Sequence, residues 1–165
     1  DDIIRREGGL NDIPQDAGGI TNRGISLRYA VGCGLDINGD GEVDGDDIRL
    51  VTPKIAADLY RQDFYLKPRI DYLPEMIQPQ MVDMAVNMGP PRSIMILQDC
   101  GADGVIGPKT RSLADRASEE MGVFLGNALV DERVTFYENL VARKPSQEIF
   151  LRGWTKRANE FWVDV

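Results

Sequence analysis

Residues 7–26, EGGLNDIPQDAGGITNRGIS, set a charged helix end against a glycine-rich hairpin, and the rest of the chain can be read outward from them. The preceding run Asp1–Arg6 has the composition of a short helix, which Gly8-Gly9 stops. Glu7 then stands on the last helical turn. Beyond it, the chain is rich in glycine and turn formers, with short β-compatible pieces, Gly19-Ile20-Thr21 and Gly24-Ile25-Ser26, which read as a hairpin. One carboxylate, Glu7, is therefore expected on a rigid helix end. A second, Asp16, is expected with the Thr21 hydroxyl on the hairpin facing it. Two carboxyl groups in different settings, one protonated and one ionised, are what cleavage of a glycosidic bond requires. A capped helix followed by a solvated turn would explain an isolated Glu-Gly-Gly. It does not explain Glu, Asp, Thr and the glycines in this order.

Composition narrows the chemistry. The chain has 165 residues, enough for one domain with a real core, and its 42% hydrophobic and 28% charged content is that of an ordinary globular protein. It contains no histidine. A Ser-His-Asp triad, a Cys-His pair and the usual His-containing catalytic zinc site are thereby excluded. Carboxylate chemistry passes that filter unchanged. The longest apolar candidate for a membrane span, Val123–Val130, is interrupted by Gly126 and Asn127. No signal-peptide pattern is found at Asp1, and the route of export stays open. Cys33 and Cys100 fit no metal-binding spacing; they could bridge the N-terminal lobe to the rest, while two free, half-buried thiols are expected if the protein works or accumulates in a bacterial cytoplasm.

The net charge of −8 argues against nucleic acid as a partner, and its source is local. Asp36, Asp40, Glu42, Asp44, Asp46 and Asp47 stand together without a base between them; setting these six charges aside, −8 becomes −2. The register of this segment matters more than its composition. Oxygen ligands fall at loop positions one (Asp36), three (Asn38), five (Asp40) and twelve (Asp47), with Gly41 at six and apolar Val43 at eight. The pattern resembles a calcium loop of the EF-hand type, more closely the dockerin variety, because Asp stands at the twelfth position. A structural Ca2+ is expected, held by the side chains of Asp36, Asn38, Asp40 and Asp47 and the backbone carbonyl of Glu42. Asp44 would act through water at most.

Further along, Leu27–Val31 reads as leading into a flexible Gly32-Cys33-Gly34 approach to this loop, and Asp46–Val51 as a short exit helix. Thr52-Pro53 caps the next helix, whose apolar face is Ile55, Leu59, Tyr60 and Phe64. Pro68, Pro74 and Pro79 cut the following section into short pieces. Helices are expected over Met81–Met88, Ser93–Cys100 and Glu119–Arg143, the last broken near Gly122 or Gly126. A final helix, Gln147–Trp162, is expected to face Ile149, Phe150, Trp154, Ala158, Phe161 and Trp162 mostly inward.

The opening stretch resembles that of glycoside hydrolase family 108, the lysozyme-like muramidases found among phage endolysins. It is also similar to the Glu–Asp–Thr arrangement of phage-type lysozymes, with eight residues between Glu7 and Asp16, although the spacing to Thr21 is one residue shorter here. Asp83-Met-Ala-Val-Asn87-Met-Gly89 with Leu97-Gln98, and Phe150–Arg157, resemble later parts of the same family. Asp103-Gly104-Val-Ile-Gly107-Pro108-Lys-Thr110 resembles the DGxxGxxT turn of peptidoglycan-binding modules. Such a turn packs helices together whether or not it touches sugar, and the packing role is weighted above wall binding.

The resemblance implies a lysozyme-like α+β fold, mainly helical, with a small hairpin-containing lobe, a larger helical lobe and a cleft between them. Residues 1–165 would form a single catalytic domain. Within it, 1–35 would be the hairpin section, 36–47 the inserted calcium loop and 48–165 the helical lobe, with a peptidoglycan-binding-like segment around 83–115. It implies a monomer that hydrolyses the β-1,4 bond between N-acetylmuramic acid and N-acetylglucosamine. Such an enzyme is made in the bacterial cytoplasm and acts on the wall. Glu7 would be the acid, and Asp16 with Thr21 would hold water on the opposite face of the sugar, giving inversion. The rival is a non-catalytic, calcium-stabilised peptidoglycan-binding module with a dead cleft.

Overall fold

The computed structural model describes residues 8–11, 20–98 and 103–164. It is mainly helical with one small antiparallel hairpin among the described residues, the α+β class expected from the sequence. By packing, the chain divides into two compact units, Asp1–Gln62 and Asp63–Val165. The expected helix over Asp1–Arg6 lies outside the described residues.

In the first unit, β1 (Thr21–Asn22) pairs with β2 (Ile25–Ser26), Thr21 opposite Ser26 and Asn22 opposite Ile25. The intervening Arg23 and Gly24 both have positive φ, 53° and 78°, as a two-residue hairpin turn whose twist matches its strands requires. Asn11 extends the pairing through an isolated bridge to Thr21. Ser26 ends β2 and caps α1 (Leu27–Cys33), its hydroxyl accepting from the Tyr29 N–H. The segment expected to be flexible is therefore helical. Gly34, taken for part of a loose approach, is the left-handed residue that closes the helix by donating to Ala30 and Val31. Cys33, expected to be half-buried, is exposed, and its Sγ lies 3.5 Å from the Ala30 carbonyl. Cys100 lies outside the described residues.

The acidic loop leads into α2 (Gly45–Arg49), and Thr52 caps α3 (Pro53–Arg61) with Pro53 at the first helical position, as its sequence indicates. Ala56 and Tyr60 are the buried residues of α3, while Ile55 and Leu59 are only partly covered. A π-helical turn, Gln62–Leu66, carries the chain onward.

The second unit starts with two 3-10 turns, Ile70–Tyr72 and Glu75–Ile77. Helices α4 (Gln78–Met88), α5 (Pro90–Gln98), α6 (Pro108–Met121), α7 (Phe124–Arg143) and α8 (Glu148–Asn159) follow. Pro79, expected as a breaker, opens α4, where its missing N–H costs nothing. The long helical region breaks at Gly122 (φ 54°), and Gly126 continues within α7. The core gathers Ile70, Ile77, Met81, Met84, Ile94 and Leu129, with Val130, Tyr137 and Ala158 forming a second cluster.

Buried among these is a charged group. Asp83 accepts from Arg133 Nη2 at 2.8 Å and from Arg157 Nε at 2.9 Å, so α4, α7 and α8 share one carboxylate. Arg133 Nε donates to the Tyr137 hydroxyl at 2.8 Å, and that hydroxyl donates to Asn87 Oδ1 at 2.8 Å. Burial pushes the Tyr137 phenol upward from its ordinary value, keeping the proton that this donation needs.

Helix α8 departs from expectation. Ala158 is buried, and Trp154 stacks on Tyr137 with ring centroids 5.2 Å apart, but Ile149, Phe150 and Trp162 are exposed. Apolar spacing placed these side chains on a stripe without specifying what covers it.

Candidate functional site

The hairpin carries the one proposed catalytic residue that the described structure places. Thr21 lies in β1, half-buried, its backbone locked to Asn11 by reciprocal bonds of 2.7 and 2.8 Å. Glu7 and Asp16 lie outside the described residues, as does Asp12. Immediately after Glu7, Gly8 has φ 78°, a backbone conformation that a side chain would strain.

What holds Thr21 in place comes from far along the sequence. Its neighbour Asn22 is buried and sends its Nδ2 to the carbonyls of Ile48 (2.9 Å) and Val51 (3.2 Å), at the exit of α2. Tyr60, from α3, donates its hydroxyl to the carbonyl of Arg23 at the hairpin tip, 3.1 Å away. The strand bearing Thr21 is thus clamped on one side to the end of the acidic loop and on the other to α3. Neither Asn22 nor Tyr60 was identifiable as a positioning residue from the sequence. Their partners stand 26 and 37 residues away, and no local pattern marks such a pair.

The acidic loop folds by turning its side chains onto its own backbone. Asp36 accepts from the N–H groups of Gly39 (2.6 Å) and Gly41 (3.0 Å), Asn38 from Asp40, and Asp40 from Glu42. Asp44 caps α2, and Asp47 returns the contact by accepting from the Asp44 N–H. Asp47 is buried, and its other oxygen takes the N–H groups of Ile37 (2.7 Å) and Asn38 (3.1 Å). The N–H of Asp44 foremost, with those of Asn38 and Ile37, holds the Asp47 carboxyl below its ordinary 3.8. Among the described residues no three acidic, histidine or cysteine side chains converge as a metal-holding group. The donor set is nevertheless all oxygen, as a hard cation demands, and a carboxylate oxygen that accepts one N–H keeps a lone pair.

The Asp103–Thr110 turn is built around Gln98. Its Nε2 lies 3.1 Å from Asp103 Oδ1, 2.9 Å from the Val105 carbonyl and 2.8 Å from the Thr110 hydroxyl, while its Oε1 accepts from the Gly104 N–H. A Cβ on Gly104 would stand 2.9 Å from the Pro91 carbonyl oxygen, and φ is +70°. Both Asp and Thr of this motif are thus engaged in packing the turn against α5. The Val105 N–H and then Gln98 hold Asp103 below its ordinary pKa.

The chain carries a locked hairpin and then a helical unit bearing this turn, and its family matches make it a glycoside hydrolase that acts on peptidoglycan. The chain belongs to the glycosyl hydrolase 108 family, whose model matches residues 1–89. Residues 91–159 match a second model, described as a predicted peptidoglycan domain. The first match runs past the first compact unit to the end of α4. Among solved structures, the chain is similar to SagA of Brucella abortus. The TM-score is 0.75 and the identity 29%, over 97% of this chain and 87% of that one. No curated protein matches it. No described helix is long and apolar enough to cross a membrane.

Proposed function

We propose that the protein is an N-acetylmuramidase, cutting the β-1,4 bond between N-acetylmuramic acid and N-acetylglucosamine, with residues 1–165 acting as one monomeric catalytic unit on the wall. The observation that carries this reading is the family match over residues 1–89, which spans Glu7, Asp16 and the clamped hairpin of Thr21. Glu7 protonates the leaving glycosidic oxygen. Asp16, with the Thr21 hydroxyl, orients a water on the opposite face, so the product inverts. A hairpin fixed at both ends suits that task, because a water is useful only when held in line with the bond that breaks.

Glu7→Gln keeps the shape of the acid and removes its proton. Clearing of purified peptidoglycan should fall by about 100-fold or more, the usual contribution of a general acid. Wild type should release fragments with muramic acid at the reducing end. Reducing-end glucosamine, cut stem peptides or full activity of Glu7→Gln would contradict the assignment.

A structural Ca2+ in the acidic loop belongs to the same reading. Asp36, Asn38, Asp40 and Asp47 would supply side-chain oxygens and Glu42 its carbonyl, neutralising a segment of six carboxylates. Because Asn22 ties the hairpin to the loop exit, the ion would stiffen the Thr21 strand without touching substrate. Chelation should lower the Tm and calcium restore it more than magnesium does; a Tm indifferent to chelator removes the ion from the account.

A further inference from the structure

A groove of about 650 Å3 opens on the second unit, between the 3-10 turn Ile70–Tyr72 and the length of α6. The wall-motif turn supplies part of its floor through Ile106, Gly107 and Pro108, so the motif shapes the groove while its Asp103 and Thr110 are spent on Gln98. The sides carry Arg69, Tyr72, Arg111, Asp115, Arg116 and Glu119. Arg111 lies over the Tyr72 ring, 5.7 Å from its centroid, and its Nε is 3.8 Å from Asp115. Tyr72 nonetheless keeps 48% of its surface exposed. Arg69 and Arg116 are exposed, and their guanidinium groups have no hydrogen-bond or ion-pair partner among the described residues. Arg69 also holds a left-handed backbone (φ 64°, ψ 32°) that glycine would adopt without strain. A strained arginine with an unengaged guanidinium at the rim of a groove is a feature that packing does not explain.

We propose that this groove binds the peptide stem of peptidoglycan, Arg69 and Arg116 taking stem carboxylates and Tyr72 covering its apolar part. The substrate class rests on the hydrolase reading above; the site does not. The lining has three guanidinium groups and two carboxylates, a mixed set that suits a zwitterionic peptide. An uncharged glycan would leave the arginines without partners, and the two carboxylates would repel a dense phosphate polymer. Guanidinium forks match carboxylate geometry, and a volume of this size holds a few peptide residues.

The test is a titration with the disaccharide–tetrapeptide that the proposed reaction releases, which the enzyme does not consume, beside the same disaccharide without peptide. Arg69→Gly removes the guanidinium and relaxes the backbone, so lost binding cannot be put down to unfolding. Each of Arg69→Gly and Arg116→Gln should weaken the peptide-bearing ligand about tenfold, the loss of one charge-assisted contact, and leave the bare disaccharide unchanged. No binding by wild type, equal binding of both ligands, unchanged affinity in the double variant, or displacement by a phosphate-linked wall polymer each overturns the proposal. Fragment release from whole peptidoglycan, measured in parallel, reports on the hydrolase separately. If it fails while the titration succeeds, the groove stands and the enzyme assignment does not.

Discussion

The two units are held together by different means. In the first, short elements are fixed by single polar side chains reaching across the fold: Asn22 to Ile48 and Val51, Tyr60 to Arg23, and Asp47 to three backbone N–H groups. In the second, long helices close over apolar clusters and one buried ion network, Asp83 with Arg133 and Arg157. The contrast reflects element length. Two-residue strands and a five-residue helix offer little apolar area, so direction-specific bonds must set their geometry. Helices of 11 to 20 residues such as α4, α6 and α7 carry enough surface for burial to do so. Thr21, the residue proposed to hold the water, sits in the unit where position is set by direction.

The contrast predicts how each unit fails. The largest effect should come from Asp83→Ala, which strands Arg133 (0% exposed) without its carboxylate; loss of one buried partner costs about 3–5 kcal/mol. Urea unfolding should show that loss, with hydrogen exchange rising in α4, α7 and α8. A change below about 1 kcal/mol would mean that the network is dispensable.

A smaller loss, about 2 kcal/mol, is expected from Asn22→Ala, which deprives two buried carbonyls of a donor. Here activity should respond more than stability, because the strand displaced is that of Thr21. Turnover on peptidoglycan should drop with the Tm only modestly lowered, and exchange should rise around the hairpin. Equal turnover in Asn22→Ala and wild type would separate the clamp from the chemistry.

The smallest effect concerns acid. Asp47 in the first unit and Asp103 in the second both have carboxyls held below 3.8 by backbone N–H groups. A depressed folded pKa contributes stability that is present above the unfolded value and lost as pH falls through the folded one. Asp47→Asn should therefore be less stable than wild type at pH 6, and the gap should close as pH falls below about 3.8. Thermal melts at several pH values check this. A gap independent of pH would show that shape, not charge, holds the loop.

Local signals carried much of the fold. The hairpin was legible from Gly19-Ile20-Thr21 and Gly24-Ile25-Ser26, and the start of α3 from Thr52-Pro53. Helix α1 was missed because three residues, Gly32-Cys33-Gly34, read as a flexible approach when the second glycine is a C-cap. The outward turn of Ile149 and Phe150 was missed because periodicity groups side chains on one face without naming a neighbour. For the site, Thr21 sits on the hairpin as expected, while Glu7 and Asp16 lie outside the described residues. The clamps could not be read, since Asn22 and Tyr60 act on carbonyls that any residue would present. The same holds for Asp83, whose partners lie 50 and 74 residues away.

Gln98 has a consequence for how the protein ages. Its amide is used at both ends, nitrogen toward Asp103, Val105 and Thr110 and oxygen toward Gly104. Deamidation would change the side chain by one atom, yet the resulting glutamate has nothing to donate at neutral pH. It would set a second carboxylate about 3.1 Å from Asp103 Oδ1 where a donor had been. A slow hydrolysis that alters mass by a single dalton would thus open the turn that lines the groove, and old protein would lose the shape of that groove before it lost its fold.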